Sequence, residues 1–474
     1  MATIQKRSIY DNIVDGINRA KEKATPILVS LTTEITDIDP LLFYMAGKEL
    51  FTGEGVYWKE PVNGETIVGL GVLQTIQSNK NSNKRFQDIK EQWNCFLENM
   101  IHTNITESKH ARGPILFGGF SFDPTKAKTE LWSDFPSAQF YLSKYTLNQI
   151  DNQLFLTSNR LVKPLDHVET VINEMECDEK QLYVALKKMK RNSIHDPSYK
   201  EREIDVENWL NSVETVVTHI NEGKLEKAVL ARELKLEADE PFSIQAILQN
   251  LVMKQPTSYI FAIDSGVSTF IGATPERLIK KDNQQLLSTC LAGSIKRGST
   301  IEEDLQLANE LLEDPKNLAE HQFVVDMITK ELKSVCRAIS KPDNPTIFKA
   351  RDIQHLYTPI VGEVKDHVHL FEIVERLHPT PALGGFPQDK ALEEIRTYEQ
   401  LDRGWYAGPI GWMDGDGNGE FAVAIRSALF KQHEASLFAG CGIVAKSEAS
   451  KEYEETMIKF KPMLNAIGGK LNGR

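Results

Sequence analysis

Short runs of β-branched and aromatic residues recur along most of the chain, and several are joined by turns too short to hold a crossover helix. SYIFAI (258–263) and STFIGA (268–273) are linked through Asp264-Ser265-Gly266, a hairpin signal. Near the end, YAGPIGWM (406–413), EFAVAIRSALF (420–430) and ASLFAGCGIVA (435–445) follow one another just as closely. Strands connected in this way pair antiparallel, because a parallel neighbour needs a connection of a dozen residues or more. The first part carries four more such runs: ILVSLTTEI (27–35), ETIVGLGVLQTI (65–76), PILFGGFSF (114–122) and SAQFYLSKYTL (137–147). Helical periodicity appears at 83–100, 206–220, 302–313, 317–340 (after a break at Pro315) and from about Ala449 onward. Helices and strands do not alternate strictly, which points to an α+β fold and not to a doubly wound parallel sheet.

The 474 residues are enough for two or three domains or one large one. A polar, proline-containing stretch, RNSIHDPSYKEREI (191–204), is the natural boundary, dividing 1–204 from 205–474. The formal net charge of −12 argues against nucleic-acid binding, which is driven by neutralising phosphates. A small anion can still be held if its site is locally basic or contains a metal ion. No run approaches the roughly 20 apolar residues of a membrane span, and MATIQKRSIYDNI has no signal-peptide core, so a cytoplasmic protein is expected. Cys95, Cys177, Cys290, Cys336 and Cys441 are odd in number, far apart and without a C-x-x-C pair, which suits reduced thiols.

Taken singly, the residues that could carry chemistry are ambiguous. Glu452, Glu455 and Lys459 share a helix face, which describes two Mg²⁺-binding carboxylates or simply a solvated face with an ion pair. Glu320, in NLAEHQFVVDMI, is unremarkable on its own. In EFAVAIRSALF, strand alternation places Arg426 with Ala422, Ala424 and Ala428, an arginine with room around it. A guanidinium there can fork onto a carboxylate or make a structural ion pair. Lys227 opens an otherwise apolar strand, either as a half-buried base or as an exposed end. Glu276, after Gly272-Ala273-Thr274-Pro275, is a solvated turn residue or a general acid. Asp414, Asp416, Asn418 and Gly419 imitate the start of a calcium loop, but the twelfth position is Ile425 where a glutamate is needed; a hairpin turn is the plainer reading.

As an ordered set these segments are far more specific. KAVLAR (227–232), IGATPERL (271–278), LAGSIKRG (291–298), DPKNLAEHQFVVD (314–326), HPTPALGG (378–385), YAGPIG (406–411), AIRSA (424–428), AGCGIV (439–444) and EYEET (452–456) resemble, in order, the blocks of the chorismate-utilising enzymes. The likeness spans about 205–465, and ILFGGFSFDP (115–124) extends it toward the longer isochorismate synthases of menaquinone synthesis.

The resemblance implies two large, mainly antiparallel sheets packed face to face with helices outside, the two segments being parts of one integrated unit. It implies Mg²⁺ held by Glu320 and Glu455, with Glu452 close by through water. Arg426 and Tyr406 match residues that hold the substrate's side-chain carboxylate, with backbone N–H groups near Gly440. Lys459 and the backbone at Gly293 match positions near the ring carboxylate, and His355 matches a histidine beside the substrate. Lys227 matches the base that activates water for attack at C2, and Glu276 the acid that protonates the departing C4 hydroxyl. Cys441 departs from the family, where alanine is common. Lys227 and Ala292 fit the water-adding members, and no glutaminase segment or subunit is expected; many stand-alone relatives are monomers. Ala382, where pyruvate-eliminating relatives carry threonine, favours stopping at isochorismate over salicylate synthesis. A siderophore route and a catalytically silent chorismate-binding relative are the other readings.

Overall fold

The computed structural model describes residues 2–51, 54–61, 64–108, 110–190, 197–350 and 353–468. The apolar runs of the first part form strands Ile27–Ile35, Thr66–Ser78, Ile115–Phe120 and Ala138–Ile150. Those of the second part include Lys227–Ala238, Tyr259–Ser265, Thr269–Thr274, Pro409–Asp414 and Glu434–Ile443. Among the described residues the pairings are antiparallel, apart from Ile27–Ile35 with Ile101–Asn104.

The strands hydrogen-bond into one network that forks at Ala138–Ile150. One edge of this strand pairs along its length with Thr66–Ser78. The other edge is shared, Tyr145–Ile150 pairing with Gln153–Val162 and Ala138–Leu142 with Ile115–Phe120. From the fork, the first sheet continues through Thr66–Ser78, Glu54–Lys59, Tyr259–Ser265, Thr269–Thr274, Ser427–Lys431, Glu434–Ile443 and Lys227–Ala238. The second runs through Ile115–Phe120, Pro409–Asp414, Gly419–Val423, Arg277–Asp282, Gln285–Lys296 and Ile353–Val364.

Alternation along the first sheet explains the layering. Trp58, Phe261, Phe270, Leu429 and Phe438 face inward and share a core with Phe117, Ile279, Ile410 and Phe421 of the second sheet. The Trp58 and Phe117 rings meet at 6.0 Å. Their neighbours Tyr57, Ile260, Ile271, Ala428 and Leu437 face the other way, into a core closed by helices Pro40–Leu50, Ile244–Lys254 and Ala449–Ile467. The α+β expectation, with two face-to-face sheets and helices outside, matches this arrangement.

Strands from before residue 204 are interleaved with later ones, as in Glu54–Lys59 beside Tyr259–Ser265. In the polar stretch 191–204, residues 191–196 lie outside the described residues. Tyr199–Glu203 is itself a strand on the edge of Lys227–Ala238.

Two expectations from the sequence fail locally. The helix read over 317–340 ends at Val335, and Cys336–Ser340 is a strand on the edge of Ile353–Val364. Five residues are too few for periodicity to separate helix from strand, and an open edge decides it. The single strand read over 420–430 is two. Gly419–Val423 belongs to the second sheet and Ser427–Lys431 to the first, with Ala424–Arg426 crossing between them. Alternation therefore does not apply at Arg426, whose φ of 51° is left-handed.

Candidate active site

All twelve candidate residues line one cavity of about 320 Å³: Lys227, Glu276, Gly293, Glu320, His355, Ala382, Tyr406, Arg426, Gly440, Glu452, Glu455 and Lys459. Lys227 is not a frayed strand end. Gly385–Phe386 pairs across it, and its side chain is 11% exposed. Its Nζ donates to Glu320 Oε1 at 2.5 Å. Glu320 comes from the start of helix Pro315–Val335, where Pro315 occupies the first turn and Asp314 Oδ1 accepts from Asn317 N. Burial would push the Glu320 carboxyl up, but the charge and hydrogen bond of Lys227 outweigh it and hold Glu320 below its ordinary value.

Glu276 and Arg426 occupy matching places. Thr269–Thr274 lies in the first sheet and Arg277–Asp282 in the second, so Pro275-Glu276 is a crossing, as Ala424–Arg426 is. The two crossings are stitched together. Ala273 N donates to Arg426 O and Val423 N to Glu276 O, each at 3.0 Å. Leaving the ladder lets consecutive side chains, Ile425 and Arg426, both reach the cavity, which a regular strand forbids. Burial pushes the Glu276 carboxyl up to about 7, against the pull of Lys227, Lys459 and Arg426. A carboxyl in this state carries its proton near neutrality and can give it away.

Gly293 sits in a bulge, where the register of Gln285–Lys296 against Ile353–Val364 slips between Leu291 and Ser294. Its φ is 79°, and a Cβ there would stand 3.2 Å from Asn317 and Leu356. His355 Nδ1 shares a 3.0 Å hydrogen bond with Ser294 Oγ. Burial, with Arg426 and Lys459 nearby, lowers the His355 pKa to about 3, so this ring is neutral and is no proton store at physiological pH. Behind the bulge, His321 Nδ1 donates to the Ala292 carbonyl at 3.0 Å. A ring that burial keeps neutral then accepts at Nε2 from Thr358 Oγ1, 2.7 Å away. This tie fixes the helix of Glu320 against the bulge.

The remaining wall is Glu434–Ile443 and the C-terminal helix. Tyr406 packs its ring on Phe438 at 5.4 Å, and burial raises its hydroxyl pKa. Lys459 Nζ donates to Glu455 Oε1 at 2.6 Å and to Gly440 O at 2.9 Å. The Glu452 carboxyl is raised by burial and further by its neighbour Glu455. Two repelling carboxylates, with Glu320 in the same cavity, are hard oxygen donors of the kind Mg²⁺ takes, with water completing its shell. Among the described residues no three His, Cys, Asp or Glu side chains stand close enough to hold a metal ion by themselves. The donor chemistry suits Mg²⁺, and each of Glu320 and Glu455 is matched to a lysine. The calcium-like stretch is a turn, in which Asp414 Oδ1 accepts from the backbone N–H of Asp416 and Asn418.

The sequence reading omitted Ser294, Lys316, Asn317 and Gly442, which also line the cavity. Gly442 had a visible signal, since a glycine inside a strand marks a close approach. A Cβ there would come within 2.7 Å of Lys227 Cε. Gly442→Ala is expected to displace the lysine tip and lower kcat by about 10- to 100-fold with the fold intact. Steady-state kinetics beside a melting curve will check this; unchanged kcat would mean that Lys227 has slack.

A family model described as "Chorismate binding enzyme" matches residues 15–468. This chain belongs to the chorismate-binding enzyme family. It is 43% identical to the isochorismate synthase MenF of Bacillus subtilis over 99% of both chains. It is 33% identical to the salicylate biosynthesis isochorismate synthase of Pseudomonas aeruginosa, over 96% of this chain and 94% of that one. Among solved structures, MenF, the menaquinone-specific isochorismate synthase of Escherichia coli, superposes with a TM-score of 0.75 at 22% identity, covering 95% of this chain and 100% of that one. At that identity the match speaks for the fold alone. No helix among the described residues is long and apolar enough to cross a membrane.

Proposed function

We infer that this chain is an isochorismate synthase, converting chorismate to isochorismate by adding water at C2 and losing the C4 hydroxyl, as the first step of menaquinone synthesis. The observation that carries the reading is the meeting, in one cavity, of a buried lysine, a carboxyl that keeps its proton near neutrality, and an arginine with a second lysine for an anionic substrate. The full-length likeness to an isochorismate synthase supports it.

In the scheme, Lys227 first releases to solvent the proton that charges it beside Glu320, and as free amine then takes a proton from water, which attacks C2. The ring double bonds shift, and Glu276 delivers its proton to the C4 oxygen, which leaves as water. Atoms balance, one water entering and one leaving, and solvent returns the proton from Lys227 to Glu276. Arg426 and Tyr406 hold the side-chain carboxylate, with the backbone around Gly440. Lys459 and the Gly293 backbone lie by the ring carboxylate. Neutral His355, steadied by Ser294, lines the substrate without taking its proton, and Ala382 leaves space beside the ring. Glu320 and Glu455, with Glu452 nearby, would hold Mg²⁺, which when bound neutralises substrate charge and fixes the ring. Residues 1–204 and 205–474 act as parts of a single unit, supported by the interleaving of their strands.

Proton NMR of purified protein incubated with chorismate and Mg²⁺, against an EDTA control, tests the reading. Isochorismate approaching a mixture with chorismate, and suppressed by EDTA, is expected. Salicylate and pyruvate as main products would replace it with a lyase, and unchanged chorismate would leave a silent binding relative.

A further inference from the structure

The strand that begins with Lys227 has an interrupted outer edge. Gly385–Phe386 pairs with Lys227 and Ala228, and Tyr199–Glu203 pairs with Leu234–Ala238. Between them, among the described residues, no strand pairs with residues 229–233 on this edge, where only the ends are met by backbone, Val229 N donating to Gly384 O and Ile204 N to Glu233 O, whereas Glu434–Ile443 covers the opposite edge from Ala228 to Glu237. Ala231 is buried, and backbone groups left without partners in such a place are costly.

Two side chains fill the gap. Arg403 Nη2 donates to Val229 O at 2.7 Å, and Ala231 N donates to Glu399 Oε2 at 2.7 Å. The two side chains also grip each other, Arg403 Nε and Nη2 donating to Glu399 Oε1 and Oε2, both at 2.7 Å. A third arm, Arg403 Nη1, donates to Leu383 O at 3.1 Å. The guanidinium lies 4.2 Å from the Phe122 ring centroid, and the side chains are 3% and 1% exposed. Together they present a donor to one backbone carbonyl and an acceptor to the next-but-one N–H, as a neighbouring strand would. Val229 and Leu383 both line the cavity, two residues from Lys227 and next to Ala382.

We propose that Glu399 and Arg403 are positioning residues for the reaction: their ion pair substitutes for a missing strand and locks the Lys227 strand to the Ala382 loop. The proposal rests on Lys227 serving as base. Stability alone is a poor reason for such a pair, since apolar replacements of buried ion pairs are often as stable. The specific gain is a forked, planar link to three partners that lysine cannot reproduce.

The test is Arg403→Lys, with Arg112→Lys as control. Arg112 is also an arginine paired with a buried glutamate, Glu65, and is itself half-buried, but it lines no part of the cavity. Arg403→Lys is expected to lower kcat about 100-fold, the scale of a 1 Å misplacement, with KM for chorismate within about threefold. Amide hydrogen exchange without substrate is expected to accelerate across 229–231. Arg112→Lys is expected to lose thermal stability and keep kcat. If Arg403→Lys does not fold, Glu399→Gln, which retains an acceptor for Ala231 N, is expected to show the same selective loss of kcat in milder form. A folded variant with kcat near wild type, a rise in KM alone, or unchanged exchange at 229–231 would overturn the proposal. Absence of turnover in the wild type would instead remove the functional reading beneath it, which the exchange measurement, made without substrate, keeps distinct.

Discussion

Lys227→Gln is expected to bind chorismate and turn over essentially none of it, with kcat down by about 10³-fold, within the 10²- to 10⁴-fold range of a positioned acid or base. The glutamine keeps a polar tip in a wall where Lys227 is held by strand pairing behind and Glu320 in front, but it cannot accept a proton from water. Binding is expected to survive because Arg426 and Lys459, the cations proposed to meet the substrate's carboxylates, remain in the cavity. Removing the lysine leaves Glu320 without its 2.5 Å partner, but the Glu320 side chain is about a third exposed, so water replaces much of that interaction and the fold persists. Calorimetric titration with chorismate and single-turnover product analysis will separate the two effects. Near-normal turnover would exclude Lys227 as the base.

Glu276→Gln is expected to move activity and stability in opposite directions. A carboxyl at about 7 supplies a proton below that pH, so wild-type turnover should decline as pH rises through 7, and the variant should lose both that limb and about 10²- to 10⁴-fold in rate. The effect on folding follows from the same shift. The folded-state value of about 7 lies above the ordinary 4.5, so between these pH values the native chain binds more protons than the unfolded one. Stability is therefore greatest, for this group, below about 4.5 and is lost as pH rises through 7. The shift corresponds to about 3 kcal/mol of penalty once the buried carboxyl is ionised. Glutamine is never ionised, so the variant should be more stable than wild type at pH 8, by up to that amount, and little different at pH 4. Urea unfolding at the two pH values decides it. Equal stabilities at pH 8 would place Glu276 in contact with water.

Much of the site was legible because its side chains lie in short blocks with marked chemistry. EYEET and Lys459 keep their helical spacing in the structure and Lys227 opens an apolar strand, whereas Glu276 lies on a crossing between the sheets and not on a tight turn. Strand alternation misjudged Arg426, because a strand that changes sheets in mid-run has the composition of a continuous one. Sequence spacing also could not bring Glu320 to Lys227, 93 residues away, since only the completed sheets do that. Glu399 and Arg403 were passed over for the same reason. Their i,i+4 spacing describes an ordinary surface pair until the bare strand edge beside them is known.

The paired crossings at Glu276 and Arg426 have a consequence for how chains of this architecture can diverge. Each spans the seam between the layers, and their bonds divide between the layers, Arg426 to Ala273 of the first and Glu276 to Val423 of the second, so a slight slide of one layer over the other changes the spacing of the acid and the arginine. Lys227 is rooted in the first layer, on the side of Arg426. The gap between proton donor and proton acceptor is thus tunable from outside the cavity, by residues that set how the layers rest on each other. Two relatives with the same cavity side chains could on this account differ widely in rate.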